Sequence, residues 1–342
     1  NFKNSNSKWK KIFNSIVSKN IASKDYFFNS IILLYNNRHF ENLTEWIVNL
    51  ETETNYTPQL VINHYTKSLE IISQDVENNL YLIDSDGKHL WQKKIGSSIM
   101  GSIYQIDRYK NHKLQYLFNT KDSIYLIDRN GSYVDPFPIK SDGLMSMPLA
   151  LFDYDNNRNY RILITMDNKL AMYNEKGQIV TGWKFTNTQS NIIMSPTHYQ
   201  LFNKDYILIS EQNGTTHLLN RQGQSRIGLA KTTHMSKHNI SFIKGNSLRE
   251  SKLMTKNING QLIYLYFDGR IETLGNQILN KNDYYIESNT HSIMIKDGKM
   301  TFQSINNAFE YNFKTNQLSN PKIISHNDST LIAIQNRSEN LI

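Results

Sequence analysis

Oxygen-bearing side chains on alternate residues are the first candidates for chemistry in this chain of 342 residues. They are Asp153, Asp155, Asn157 and Asn159, and their alternation is similar to the opening half of a calcium-binding loop. The rest of that loop does not follow, because its sixth position is Arg158 instead of glycine and its twelfth is Ile164 instead of glutamate. Hairpin tips rich in Asp and Asn are also ordinary turns. We therefore keep the four residues as weak metal candidates and predict a turn.

Other patterns that could carry chemistry are weak. His234 and His238 have the spacing of two metal ligands on a helix, but no helical pattern and no nearby acid accompany them. The sequence contains no nucleophile elbow, no Walker loop, no dinucleotide fingerprint and no cysteine. We predict no catalytic residue, no bound cofactor and no enzymatic activity.

An internal repeat is the strongest signal in the sequence. Glycines end an apolar run at intervals of 44, 46, 46 and 46 residues, at Gly87, Gly131, Gly177, Gly223 and Gly269. Each run is rich in β-branched and aromatic residues and closes in Asp/Asn-x-x-Gly or Asp-Gly, which is typical of a strand entering a tight turn. Asp84 and Asp86 recur in the next turn as Asp128 and Asn130, so we assign these acids a backbone role.

Further short apolar segments around each turn complete about four strands per repeat, and seven repeats can be traced. Four antiparallel strands in 40 to 50 residues are typical of a propeller blade. The predicted fold is all-β: a β-propeller of seven or eight four-stranded blades, quinoprotein-like or WD-like. It occupies residues 45–342 and is expected to be incomplete at its C-terminal end. Residues 1–44 are expected to be a short, mostly helical segment that ends a preceding domain.

Two expectations concern the residues ahead of the first repeat. Apolar residues lie at helical spacing at Trp9, Ile12, Phe13, Ile16 and Val17, which predicts an amphipathic helix. A propeller closes when one terminus donates a strand to the blade formed by the other, because an open ring leaves unpaired edges. We expect Trp46, Ile47 and Val48 to lie in this closing strand, with residues 45–50 paired to the last blade.

The chain is basic, with a net charge of +8 and a pI near 9.2. A basic surface attracts phosphates and anionic head groups, but the lysines are scattered singly through strands and turns, with one tight cluster around Lys8 to Lys11. We therefore predict no nucleic-acid partner. No apolar run is long enough to span a bilayer, so membrane contact is expected only through partners or through an anchor ahead of Asn1.

The segment from Tyr81 to Trp91 resembles the repeat of the pyrroloquinoline-quinone-type propellers, in which a tryptophan packs between blades. Gly177 to Trp183 shows part of the same pattern. The resemblance implies that Trp91 and Trp183 are blade-packing residues. Quinoprotein dehydrogenases of this class also use a vicinal disulfide and a bound calcium, and the absence of cysteine argues against their chemistry. The repeat class also includes the propeller lipoprotein of the outer-membrane assembly machinery, a non-catalytic scaffold.

Three segments, at Pro58 to His64, Gln74 to Ile83 and Phe152 to Tyr160, resemble the C-terminal propeller of large envelope proteins of the Bacteroidota. The resemblance implies an exported protein, in the periplasm or associated with the outer membrane or cell surface. It implies a scaffold whose partners are other proteins of an envelope complex. The alternative is a ligand- or glycan-binding propeller, followed by a quinoprotein-like enzyme. Ser123 and Ser329 lie in short patterns that fit O-glycosylation of such exported proteins, and chance explains the patterns equally well.

Overall fold

The computed structural model describes residues 13–23, 26–35 and most of 46–334. Within the last range it leaves out residues 230–232, 234, 236–239, 281–282, 305–307, 314–317, 319–321 and 327–328. All regular secondary structure in the described residues is β-strand. None of these residues lies in a helix with the length and apolar character needed to cross a membrane.

The chain divides into two compact units, residues 46–278 and residues 1–45 with 279–342. The first unit contains five antiparallel sheets. Blade 1 comprises β3 (Gln59–Ile62), β4 (Leu69–Gln74), β5 (Asn79–Ile83) and β6 (His89–Lys94), and blade 2 comprises β7 (Met100–Ile106), β8 (Gln115–Asn119), β9 (Ser123–Asp128) and β10 (Ile139–Lys140). Blade 3 comprises β11 (Ala150–Phe152), β12 (Arg161–Met166) and β13 (Lys169–Asn174). Blade 4 comprises β14 (Thr197–Leu201), β15 (Lys204–Ser210), β16 (Thr216–Leu219) and β17 (Ser225–Ile227), and blade 5 comprises β18 (Ser241–Ile243), β19 (Lys252–Lys256), β20 (Gln261–Tyr266) and β21 (Ile271–Ile278).

The second unit contains three sheets. One is a hairpin of β1 (Phe13–Ser23) and β2 (Tyr26–Tyr35). The next has four strands, β22 (Tyr284–Glu287), β23 (His291–Lys296), β24 (Lys299–Ser304) and β25 (Ala308–Asn312). The last pairs β26 (Lys322–His326) with β27 (Ser329–Ala333).

Successive sheets pack face to face through apolar side chains. Ile72 and Leu82 of blade 1 share a buried cluster with Tyr116 and Phe118 of blade 2. Corresponding clusters join blade 2 to blade 3, blade 3 to blade 4, and blade 4 to blade 5. A side chain of this size stabilises the fold by roughly 1.5–3 kcal/mol when it is fully buried. Four-stranded sheets packed in this sequential manner are the blades of a β-propeller, so the predicted fold class is confirmed.

Blade 3 departs from the predicted four-strand pattern. After the turn at Gly177, where the four-strand pattern places a fourth strand, the described residues form only the isolated bridges Tyr173 with Ile179 and Lys169 with Asn187. The N–H of Trp183 donates to the carbonyl of Val180 at 3.1 Å. This turn shortens the segment and leaves the sheet with three regular strands.

The expected N-terminal helix is wrong for the residues that the structure describes. Residues 13–23 form β1, which pairs antiparallel with β2 so that Ile16 lies opposite Leu33 and Ile21 opposite Phe28. The segment 26–35 is rich in aromatic and β-branched residues, which prefer strands, and it supplies the partner for 13–23. Trp9 and Ile12 lie outside the described residues.

The expected closing strand is also wrong for the described part of residues 45–50. Residues 46–50, which include Trp46, Ile47 and Val48, lie in no strand, and the first bridge after them joins Thr54 to Asp75 of the same unit. Contacts with blade 1 fix the position of Trp46 instead. It packs on the turn at Gly87, and its indole N–H donates to the Ser85 carbonyl at 2.9 Å.

Candidate functional site

The repeated glycines all lie in the turn that follows the third strand of a blade. Their φ angles are positive, from +74° to +94°, at Gly87, Gly131, Gly177, Gly223 and Gly269. In the first turn, one carboxylate oxygen of Asp84 accepts the N–H groups of Asp86 at 3.0 Å and Lys88 at 2.9 Å. The Asp84 carboxylate therefore acts on the backbone.

In an antiparallel sheet, the turn between strands three and four lies at the same end as the turn between strands one and two. We call this end of blades 1–5 the glycine-turn end. It contains the loops 63–68, 107–114, 153–160, 202–203 and 244–251 together with the five glycine turns.

A tryptophan from the preceding repeat packs on three of the glycines. A methyl group added to Gly131 would lie 3.1 Å from the Trp91 indole, and one added to Gly87 would lie 2.7 Å from Trp46. The Trp91 N–H donates to the carbonyl of Arg129, two residues before the glycine, at 2.6 Å. Trp46 makes the same bond to Ser85. Trp46 is therefore the counterpart of Trp91.

Trp183 occupies the third of these positions but uses its N–H differently. Its indole lies against Gly223, at 3.1 Å from an added methyl group, while its N–H donates to the Phe185 carbonyl at 2.7 Å. Trp91 and Trp183 precede their glycines by 40 residues and Trp46 precedes its own by 41. This spacing was readable in the sequence and would have assigned Trp46 correctly.

The loop proposed as a weak calcium site is a turn whose oxygens are already bonded. The carboxylate of Asp153 accepts the N–H groups of Asn157 at 3.0 Å and Arg158 at 2.9 Å. The side chain of Asn157 accepts the N–H of Asn159 at 3.0 Å, and Asp155 pairs with an arginine of blade 4. In the described part of the chain, no group of three or more His, Asp or Glu side chains could bind a metal ion.

Of the remaining sequence candidates, only Ser123 has a described side chain. Ser123 lies in β9 with 4% of its surface exposed, so a glycosyltransferase could not reach its hydroxyl in the folded protein. The side chain of Ser329, and both His234 and His238, lie outside the described residues.

The glycine-turn end carries acids and arginines that join one blade to the next. Glu70 of β4 is 1% exposed, and Arg129, in the glycine turn of blade 2, binds both of its carboxylate oxygens. Asn63 donates its amide N–H to the same carboxylate at 2.9 Å. The hydrogen bonds that Arg129 donates to Glu70 raise the pKa of Arg129 above its usual value. A buried carboxylate is tolerable only with such partners.

Pairs of an arginine and a carboxylate also join later blades. Arg158 of blade 3 binds the buried Asp107 of blade 2, with 2.9 Å between Nη1 and Oδ2. Arg221 of blade 4 binds Asp155 of blade 3 at 2.7 Å and also the buried Asp205 of its own blade. Burial lowers the pKa of Arg221, but the hydrogen bonds that it donates to Asp155 and Asp205 raise the pKa by more, so the net shift is upward.

The sequence interpretation missed these pairs, although a signal was present. Arg129 and Arg221 occupy the same position, two residues before Gly131 and Gly223. A residue type that recurs at one position of a turn indicates a shared role. Its acidic partner could not be located, since Glu70 precedes Arg129 by 59 residues.

Lysines that form no ion pair with a described carboxylate lie on the first two loops of the glycine-turn end. Lys67 donates to the His64 carbonyl at 3.0 Å and Lys110 to the side-chain oxygen of Asn159 at 2.7 Å. His64 Nδ1 accepts the N–H of Leu114 at 3.0 Å, so the two loops are joined. Burial first, and then the positive charges of Arg129, Lys113 and Lys67, lower the pKa of His64. Three positive charges and one carboxylate, that of Asp128, therefore act on the His64 ring.

The other end of the same blades carries both acids and lysines. Its exposed or half-buried carboxylates include Glu53, Glu77, Asp122, Asp142 and Asp167, and Lys121 and Lys169 are exposed there. The loops at this end join strands two and three of a blade, or lead into a blade.

Comparison with known proteins agrees with the fold. No protein-family model and no curated protein sequence matches the chain. Among solved structures, BamB from Moraxella catarrhalis is similar with a TM-score of 0.51 and 16% identity, over 80% of this chain and 78% of that one. BBS1N in complex with ARL6DN is similar with a TM-score of 0.52 and 9% identity, over 83% and 93%. At such identities the likeness shows the fold, and this protein is a β-propeller.

Proposed function

We propose that this protein is a non-catalytic β-propeller scaffold that binds other proteins. The observation that carries the proposal is the use made of its polar side chains at the glycine-turn end. Asp84 and Asp153 accept backbone N–H groups, while Glu70 and Asp107 bind arginines of the next blade. These groups fix the position of loops instead of converging on a substrate, and rigid loops on packed blades suit protein recognition.

The likeness to a propeller solved in complex with another protein, BBS1N with ARL6DN, supports a protein partner. The setting we propose is a bacterial envelope complex for outer-membrane assembly or secretion, with the protein exported to the periplasm or the cell surface. Support for that setting comes from the sequence resemblance to Bacteroidota envelope propellers and to the outer-membrane assembly lipoprotein. The structural likeness to BamB agrees with it. Contact with the membrane would be made through partners or an anchor.

Co-purification from native membranes tests the proposal. The full chain, tagged and expressed at its natural level, should be recovered from envelope membranes in a fixed ratio with at least one envelope protein. The complex should survive gel filtration in mild detergent. Recovery as an uncomplexed protein with a turnover activity would overturn the proposal.

A further inference from the structure

We propose that a basic and aromatic rim on blades 1 and 2 binds an acidic segment of a partner protein. The basic rim consists of Tyr65 and Lys67 from the first loop and Tyr109, Lys110 and Lys113 from the second. This inference rests on the proposed scaffold function and names the surface and the partner chemistry.

The lysines of the basic rim differ from the arginines beside them. Arg129 and Arg158 each bind a buried carboxylate. Lys67 and Lys110 bind only neutral oxygens, and the lysines of the rim form no ion pair with any described carboxylate. Their charge is therefore available to a partner.

Exposed aromatic rings lie among these cations. Tyr65 is 65% exposed and Tyr109 is 54% exposed. Lys113 Nζ lies 5.9 Å from the centroid of the Tyr65 ring, and the Arg108 guanidinium lies 5.2 Å from that of Tyr109. Tyrosine is enriched at the energetic centres of protein interfaces, whereas lysine is depleted there. The tyrosines of the rim would therefore contact the apolar parts of an acidic segment, and its lysines would supply the complementary charge.

The two loops of the rim are fixed before any partner arrives. The buried carboxylate of Asp107 accepts the N–H groups of Asn111 at 3.0 Å and His112 at 2.8 Å. In the first loop, the side chain of Asn63 accepts the N–H of Tyr65 at 2.9 Å. A surface that is already ordered loses little conformational entropy on binding.

The surroundings favour a short acidic segment over a continuous polyanion. Asp86 of the blade 1 turn is exposed at the same end, and Asp84 lies half-buried beside it. A nucleic-acid backbone or an anionic bilayer extending across this end would approach those carboxylates and be repelled. A protein segment with a few carboxylates needs only the rim itself.

The test compares two charge-reversed double variants of the full chain. Lys110→Glu with Lys113→Glu changes the rim, and Lys121→Glu with Lys169→Glu makes the same change in net charge at the opposite end, where both lysines are exposed. The probe is a short fluorescent peptide of glutamate and tyrosine, with its glutamine analogue as the uncharged control. We expect about tenfold weaker binding of the acidic peptide by the rim variant and an unchanged affinity for the control variant. Equal affinities for both variants would overturn the proposal.

Two further measurements identify the occupant. The acidic peptide should raise the pKa of His64, followed by NMR, because carboxylates placed beside Lys67 and Lys113 favour the protonated ring. Phosphatidylglycerol vesicles and a single-stranded oligonucleotide should bind less tightly than the peptide at physiological salt. If either one binds the rim more tightly than the peptide does, the occupant is that polyanion and not an acidic protein segment.

Co-purification separates this inference from the proposed function. If the rim variant still co-purifies with the same envelope proteins, the rim inference fails while the scaffold function stands. A wild-type chain that co-purifies with no partner overturns the scaffold function.

Discussion

The pair of Glu70 and Arg129 gives the sharpest stability prediction. Arg129→Met keeps the aliphatic stem of the arginine and removes its charge, leaving the Glu70 carboxylate buried with Asn63 as its remaining donor. Breaking a buried ion pair from one side costs about 3–5 kcal/mol. Arg129 retains 24% of its side-chain exposure, so water can reach part of the vacated space. We therefore expect a loss of about 2–3 kcal/mol in the free energy of unfolding.

Urea unfolding followed by tryptophan fluorescence measures this loss, since Trp91 packs beside Arg129. The double variant Glu70→Gln with Arg129→Met should recover at least half of it, because the neutral amide still accepts from Asn63 and no longer buries a charge. Arg270→Ala is the control, since its pair with Asp268 lies at the surface, and it should leave the midpoint unchanged. A double variant that is no more stable than Arg129→Met would refute the idea that an unpaired buried charge causes the loss.

Three further predictions follow from the turns. Trp46→Ala should destabilise the fold by about 2–4 kcal/mol, close to the effect of Trp91→Ala in the same urea assay. If Trp46→Ala leaves the stability unchanged, Trp46 is not a blade-packing residue. Gly131→Ala should cost about 1–3 kcal/mol, because its φ of +84° and the adjacent indole both oppose a methyl group. Gly182→Ala, with open space around the added methyl group, should be neutral, and equal effects at the two glycines would contradict the packing account. Calcium and a chelator should leave the thermal midpoint unchanged, since Asp153 already accepts two N–H groups; a calcium-dependent rise would restore the metal hypothesis.

The sequence predicted the parts of the fold that depend on local chemistry. The glycine spacing identified the turns because a positive φ at a fixed position leaves few alternatives to glycine. The N-terminal segment was misjudged because the apolar residues Phe13, Ile16 and Val17 suit a helix and a strand alike. Their pairing with β2 decides between the two, and the periodicity of one segment carries no information about its partner.

The candidate site could be predicted only in part, for a similar reason. Single lysines at positions 67, 110 and 113 look scattered along the chain, and they become one surface only when blades 1 and 2 pack together. The prediction placed Trp46 in a closing strand because it rested on the strand preference of residues 45–50 and not on the spacing between Trp46 and Gly87 in the sequence. Residues that act across blades are found by comparing equivalent positions of the repeat.

Cross-linking in intact envelope membranes tests the central claim most directly. A carbodiimide, which activates a carboxylate so that a lysine amine forms an amide with it and leaves as the urea, should join Lys67, Lys110 or Lys113 of the basic rim to an acidic segment of another envelope protein. The exposed lysines of the opposite end, Lys121 and Lys169, should form few such links. Links to other proteins that arise mainly from Lys121 and Lys169, or no links to another protein from the basic rim, would contradict the account.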